Sequence, residues 1–313
     1  MIRSPAGKLQ TVAVAGGTGF VGRAIVRELA RRGYRPIALS HRRARPDPRP
    51  GGPETRQADV TRPETLAAAL SGADAVVICL AFRNSPIEAP RRGRTFEKVD
   101  AAGTEALVAA AAGAGVRRLV YISGAGAAPD AGRHWFRAKW RAEEAVRGSG
   151  IDYTIFRPTW IFGPGDRSLN RFIGFSRWLP FVPQIGNGRQ LVSPIFIDDV
   201  GGLVADALET PAALNATLEV GGPEVLTMDE VIRQALRALR RRRPILHAPV
   251  RLMKLLSRPL TLLPSPPLTP DSIDFIVQTA QVDTAPLAAV LPRRLTPLAE
   301  GLATYLGRPA QPG

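Results

Sequence analysis

Only four of the 42 basic side chains in this 313-residue chain are lysines: Lys8, Lys98, Lys139 and Lys254. Lys139 stands in the run "HWFRAKW", and the residue four before it is Trp135. On a helix those two positions share a face. An ammonium beside a phenol at that spacing lowers the phenol's pKa from about 10, so that it can give and take the proton needed when hydride adds to a carbonyl. An indole N–H donates but cannot shuttle a proton. No other tyrosine restores the pattern, because Tyr34, Tyr121, Tyr153 and Tyr305 are followed four residues later by Ala38, Ala125, Arg157 and Pro309. His134 titrates near neutral pH. It sits about 100° around the helix from Trp135, however, and is expected to be a solvated or helix-N-terminal histidine. Lys139 therefore has no phenol at helical spacing with which to transfer a proton. Loss of a general acid forfeits about 10²–10⁴-fold in rate and leaves ligand binding in place.

The second pattern is a phosphate cradle. "GGTGFVG" gives Gly16-x-x-Gly19-x-x-Gly22 between the buried-strand run "TVAVAG" (Thr11–Gly16) and the amphipathic run "VGRAIVRELARRG". There Gly16 permits a tight turn, Gly19 lets the backbone approach a pyrophosphate, and Gly22 lets the helix pack on the sheet. The helix N-terminus adds N–H groups and a positive dipole end. A dinucleotide is the expected ligand. Its type is written at the end of the second strand, where an acid would bind the ribose 2′-hydroxyl of NAD. "LSHRRARP" has no acid there. Arg42 or Arg43, next to His41, offers charge-assisted bonds to a 2′-phosphate instead. NADP(H) is therefore preferred and NAD(H) remains an alternative, as does a solvated arginine pair. Asp59, in "ADVT", either reaches the adenine edge or caps a helix entry.

The elements that must position these residues alternate along the first half. Pro36–Ser40, Ala75–Ala81, Arg118–Ser123 and Asp152–Pro158 read as strands, with helices over 21–33, over "TRPETLAAAL" and over about 96–112. Arg23, Arg27 and Arg31 fall on one face of the first helix and Val21, Ile25 and Leu29 on another, with Gly33 placed to end it. Thr61 with Glu64, and Thr227 with Glu230, have the spacing of capping boxes. Strand, helix, strand in this order implies parallel strands joined by crossover helices. The predicted fold is α/β, a doubly wound parallel sheet. After Pro158 the pattern loosens. "SPIFIDDVGGLVADALE" reads as a strand feeding a helix and Ala216–Gly222 as one more strand, and seven prolines from Pro244 to Pro270 cut the chain into short pieces. The proline- and glycine-rich run Arg43–Glu54 is expected to be an exposed loop.

Composition narrows the partners. A formal charge of +15 asks for an acidic one: a nucleotide, a nucleic acid or an anionic membrane surface. No basic stripe interleaved with aromatics is present to stack bases, and an arginine excess of this kind is compositional, so nucleic acid is not expected. The single cysteine, Cys79, excludes a disulfide within the chain. "MIRSPAGKLQ" has no apolar run behind it and no stretch approaches about 18 apolar residues. The chain is expected in the cytoplasm or peripheral on the inner face of a membrane, neither secreted nor spanning. "VRLMKLLSR" (Val250–Arg258) sets Arg251, Lys254 and Arg258 at helical spacing beside a broad apolar side. It reads either as a packed lid helix or as an interfacial helix on an anionic membrane.

Together "GGTGFVG", "ADVT", "RRLVYIS", "RPTWIFGPGD" and "FIDDV", with "PLTPDSIDFI" and "TPLAEGLATYL" nearer the C-terminus, resemble the extended, atypical short-chain dehydrogenase/reductases. Within them the likeness is greatest to the nucleotide-binding accessory subunit of respiratory complex I and its bacterial relatives, and it runs from about Thr11 to Leu306. The resemblance implies a Rossmann domain over 8–160 and 191–222, a smaller C-terminal domain over the cleft from 161–190 and 223–308, and bound NADP(H). It implies cofactor contacts from Gly16, Thr18, Gly19, Phe20, Val21 and Gly22 along the glycine turn, and from His41, Arg42, Arg43, Asp59 and Val60 beyond the next strands. Leu80, Ala81 and Ser123 follow on later strands, Lys139 binds the nicotinamide ribose, and Pro158 and Thr159 lie near the carboxamide. Active members add a tyrosine and a strand-end serine or threonine. Here Trp135 takes the tyrosine's place and Ala125 the hydroxyl's, with Ser123 close by, so no residue is assigned catalysis. Arg157 and Asp166 have a structural reading too, Asp198 and Asp199 order a strand–helix junction, and no metal site is expected. The function expected is NADP(H) binding with a structural, assembly or redox-sensing role, at a respiratory complex or membrane surface. The competing expectation is an NADP-dependent reductase of a hydrophobic quinone-like or ketone substrate, with Lys139 or water as proton source.

Overall fold

The computed structural model describes residues 9–42, 52–82, 85–166, 168–176, 178–264 and 266–306. The chain begins β1 (Thr11–Ala15), α1 (Phe20–Arg31), β2 (Arg35–Ser40), β3 (Glu54–Gln57), α2 (Leu66–Leu70) and β4 (Ala75–Ile78). It continues α3 (Ala102–Gly113), β5 (Arg118–Ile122), α4 (His134–Arg147) and β6 (Asp152–Pro158). Next come β7 (Ile161–Phe162), α5 (Ser168–Phe175), β8 (Val182–Ile185), β9 (Leu191–Val192), β10 (Ile195–Phe196) and α6 (Ile197–Glu209). The last third holds β11 (Ala216–Val220), β12 (Leu226–Thr227), α7 (Met228–Ala238), β13 (Ile245–Ala248), α8 (Val250–Ser257), α9 (Pro270–Val277), α10 (Ala285–Val290) and α11 (Leu298–Ala303).

Seven strands form one sheet in the order β11-β6-β5-β4-β1-β2-β3. The pairings β1–β2, β2–β3, β1–β4, β4–β5 and β5–β6 are all parallel. Val12–Ala15 and all of β4 are buried, as strands covered on both faces must be. The order runs outward from β1 to β3 on one side and from β4 to β6 on the other. The carboxyl ends of β1 and β4 therefore flank a topological switch point, where such sheets bind ligands. This is the doubly wound, Rossmann-like sheet expected.

Helix α1 buries Ile25 and Leu29 and exposes Arg23, Arg27 and Arg31. It ends as expected at Gly33, whose φ of 83° suits glycine. The Gly33 N–H donates to Ala30 O at 3.0 Å and the Tyr34 N–H to Leu29 O at 3.0 Å, the double bond of a Schellman turn. The Thr227–Glu230 capping box forms, but the Thr61–Glu64 box does not. Asp59 Oδ1 instead accepts from the Thr61 N–H (3.0 Å) and hydroxyl (2.7 Å), while Glu64 accepts from Arg62 Nε at 3.0 Å. A local Asx turn wins over the box, and the chain enters α2 through a 3₁₀ turn at Pro63–Thr65. The helix expected over 96–112 begins as a π-helical turn, Phe96–Ala101, which buries Phe96, Asp100 and Ala101 together. Strand β4 stops at Ile78, short of Ala81.

The chain divides into two compact units, one of Met1–Ala81, Phe96–Arg157 and Val200–Leu218, the other of Phe82–Thr95, Pro158–Asp199 and Glu219–Gly313. Residues 82–95, 158–160, 191–199 and 219–222, which the sequence suggested as part of the Rossmann domain, fall in the second unit. Local bonds explain why: Asp199 accepts from the Thr296 N–H at 2.7 Å, and a Cβ on Gly222 would lie 1.9 Å from Pro194 O. Within this unit β8 pairs in parallel with β13.

Candidate functional site

The glycine turn is held from inside and open outside. Gly17 N–H donates to Val14 O (2.9 Å), Gly19 N–H to Gly16 O (2.8 Å) and Arg23 N–H to Gly19 O (3.1 Å). Gly16 has φ 80°, and a Cβ there would lie 2.5 Å from Cys79 O. A Cβ on Gly22 would lie 2.2 Å from Gly16 O, so only glycine lets α1 start this close to the turn. Gly19 is the N-cap of a 12-residue helix and has no side chain to cap it. Thr18 and Gly19 are exposed, and Phe20 and Val21 are half-buried beside them. An exposed, side-chain-free backbone at a helix N-terminus fits a pyrophosphate. A nicotinamide dinucleotide bound here would supply a hydride donor or acceptor, and the protein's part is to hold and orient it.

Other expected positions of the first unit come to the same edge of the sheet. His41 and Arg42 follow β2 and are exposed; the Arg42 N–H donates to Ser40 Oγ at 3.2 Å. Arg43 lies outside the described residues. Asp59 follows β3, and its Oδ1 serves the Thr61 turn, so the capping reading is the one realised by that oxygen. Val60 is half-buried, 2.7 Å from where a Cβ on Gly103 would stand. Leu80 and Ala81 follow β4, Ser123 follows β5, and Pro158 closes β6. Thr159, in the second unit, donates its N–H to Val220 O at 2.9 Å and its hydroxyl to Ser193 O.

Around Lys139 the chemistry differs from a tyrosine–lysine pair. Trp135 is 3% exposed and packs among the rings of Phe96 (6.4 Å), His134 (5.2 Å) and Phe136 (5.8 Å). His134 is the first residue of α4, half-buried at the edge of this cluster, and is the helix-N-terminal histidine expected. Lys139 Nζ meets Asp100 Oδ1 at 2.6 Å, with side chains only 14% and 3% exposed. The Nζ also lies 5.6 Å from the centre of the Tyr121 ring, on β5. Burial pushes the Lys139 pKa down, but the Asp100 carboxylate and the Tyr121 phenol more than offset it, and the net shift is upward. Burial lifts Tyr121 to about 12, only partly opposed by Lys139. Such a phenol is no acid or base near neutral pH.

Ser123 is engaged elsewhere. Its hydroxyl donates to Glu143 Oε1 at 2.6 Å, and fully buried Glu143 also accepts a two-pronged Arg157 (2.8 and 2.7 Å) and Arg147 (2.6 Å). Both guanidinium groups lie against the Trp140 ring, at 4.8 Å for Arg147 and 5.7 Å for Arg157. Arg157 is therefore structural. Asp166 Oδ2 accepts from the Leu169 N–H at 2.9 Å, and Asp199 is committed to Thr296. Cys79 is buried, with its pKa pushed to about 12, and is no nucleophile. Among the described residues no group of three or more His, Cys, Asp or Glu side chains could hold a metal, and no helix is long and apolar enough to cross a membrane. Asp100 and Glu143 escaped the sequence reading and Tyr121 entered it only as a tyrosine with no lysine four residues on, because their contacts with Lys139, Ser123 and Arg157 cross between elements.

A parallel, doubly wound sheet with a bare glycine turn at its switch point defines a dinucleotide-binding protein. Residues 16–172 match the family described as NAD(P)H-binding, and the chain belongs to that family. It is 32% identical over 70% of its length to the NADH dehydrogenase [ubiquinone] 1 alpha subcomplex subunit 9, mitochondrial, of Arabidopsis thaliana, of which it spans 55%. It is 31% identical over 80% of its length to the chloroplastic divinyl chlorophyllide a 8-vinyl-reductase of Oryza sativa subsp. indica, spanning 64% of that protein. The chain thus covers between half and two thirds of these relatives. Its fold matches UDP-glucose 4-epimerase from Thermotoga maritima with a TM-score of 0.73 at 17% identity, over 95% of this chain and 97% of that one. The resemblance to extended short-chain dehydrogenase/reductases and to the complex I subunit is borne out.

Proposed function

We propose that the chain binds NADP(H) and does not use it in tyrosine-dependent hydride transfer, serving a structural, assembly or redox-sensing role at a respiratory complex or anionic membrane surface. The carrying observation is the Lys139–Asp100 contact of 2.6 Å. An ammonium activates a phenol by lending it positive charge; here a carboxylate takes up that charge. Burial pushes the neighbouring phenol, Tyr121, up to about 12. At neutral pH it is about five pKa units from giving up its proton. Trp135 offers an N–H donor inside an aromatic cluster and no exchangeable acid. Preference for NADP(H) rests on exposed Arg42 at a strand end that has no acid. The accessory role is supported by the relative from Arabidopsis thaliana, which is named as subunit 9 of the 1 alpha subcomplex of NADH dehydrogenase [ubiquinone].

A second reading, a reductase of a hydrophobic substrate, is favoured by the reductase relative from rice. A single-turnover experiment separates the two. Protein loaded with NADPH is mixed with a quinone or a ketone and the nicotinamide absorbance followed. No oxidation above the protein-free rate is expected. Oxidation that disappears in Lys139→Met would establish the reductase.

A further inference from the structure

Helix α8 is turned opposite to the usual rule for a surface helix. Leu252, Leu255 and Leu256 form its outward stripe, and Leu262 and Leu263 follow at the end of a short 3₁₀ turn, Pro259–Leu262; all five are between 48% and 73% exposed. They make up half of the ten large hydrophobic side chains exposed among the described residues. The inward face carries Ser257, which is buried, and Lys254, whose Nζ reaches Asp274 Oδ1 on α9 at 2.5 Å. The three cations fall within about 60° of one another around the helix, as the sequence suggested, but Lys254 is turned to Asp274 while Arg251 and Arg258 are exposed at the two ends of the α8 leucine stripe. A packed lid would have buried the leucines.

Charge identifies what covers this face. From 231 to 270 the chain has nine cationic side chains and no acidic one. Guanidinium groups grip phosphate oxygens with two bonds, and a short leucine stripe suits the boundary between headgroups and acyl chains. We propose that the outward face of α8 and the turn after it, Leu252, Leu255, Leu256, Leu262 and Leu263 together with exposed Arg251 and Arg258, docks on an anionic lipid surface. This deepens the surface-association part of the proposed function and is independent of the nucleotide site.

The test is co-sedimentation of the full chain with vesicles of phosphatidylcholine alone or mixed with phosphatidylglycerol. NADPH affinity is measured in parallel. Wild-type protein should bind the anionic vesicles at least about tenfold more tightly than the neutral ones, with the difference shrinking in salt. Leu255→Glu/Leu256→Glu should lose at least about tenfold. Arg251→Ser/Arg258→Ser should lose about 25-fold, at about fivefold per cation. NADPH binding should be unchanged in both. No preference of the wild-type protein for anionic vesicles overturns the proposal, even with NADPH binding intact. So does unchanged vesicle binding by both variants. A leucine variant that turns a dimer into a monomer without altering vesicle binding would assign the face to a second copy of the chain.

Discussion

Removing Asp100 should destabilise the protein through the charge it leaves behind. Lys139 is 14% exposed and its ammonium is 2.6 Å from the carboxylate. Asp100→Leu leaves the ammonium against Tyr121 without its carboxylate, and Lys139→Met takes the buried carboxylate's cation away. Breaking a buried pair from one side costs about 3–5 kcal/mol, whereas replacing both members by apolar groups of similar volume is often neutral or stabilising. The double variant should therefore lie within about 1 kcal/mol of wild type, giving a coupling energy of at least about 3 kcal/mol. In urea, with a slope of about 2 kcal/mol/M, each single variant should lower the unfolding midpoint by about 2 M and the double by less than about 0.5 M. Circular dichroism during urea titration reads all four proteins. Single variants that cost less than about 1 kcal/mol and add in the double would refute the reasoning. Lys139 would then not be committed to Asp100 and would be available for chemistry.

Three further outcomes are expected. Gly22→Ala brings a Cβ to 2.2 Å from Gly16 O. It should weaken NADPH binding at least about 100-fold through displacement of the turn, with far-UV circular dichroism unchanged. Trp135→Tyr should produce no NADPH-dependent carbonyl reduction, since Asp100 still neutralises Lys139. It should cost about 1–2 kcal/mol in urea unfolding from lost ring packing in the aromatic cluster. Glu28 is held near a pKa of about 2, below the ordinary 4.5, first by its bonds from Arg31 and, against burial, with help from Arg32. Its depressed pKa means that its stabilisation is complete above pH 4.5 and disappears as pH falls toward 2. With the exposed Arg31 discounted, the loss is about 2 kcal/mol, and Glu28→Gln should abolish that part of the acid sensitivity of the unfolding midpoint.

The sheet was legible because its strands are runs such as Val12–Ala15 and Ala75–Ile78 that only burial on both faces explains. Capping was half legible. Thr227–Glu230 closed as its spacing suggested, while Asp59 drew Thr61 away from Glu64. Spacing finds partners within one helix, so it found Trp135 and Lys139. It could not find Asp100 or Tyr121, which reach Lys139 from a π-helical turn and a strand. Ser123 was legible as a polar strand-end residue, but its engagement with Glu143 needed the packing of α4 on β5. In α8 the pattern of leucines and cations was plain, and which face turns outward was not. Periodicity defines two faces of a helix without saying which is covered.

The most direct test is calorimetric titration of nucleotide-free protein with NADPH, with NADH alongside. Micromolar or tighter binding of NADPH and weaker binding of NADH are expected. Preference for NADH would contradict the role of Arg42 and leave the glycine turn standing. Heat from neither nucleotide would contradict the central claim that this glycine turn holds a dinucleotide.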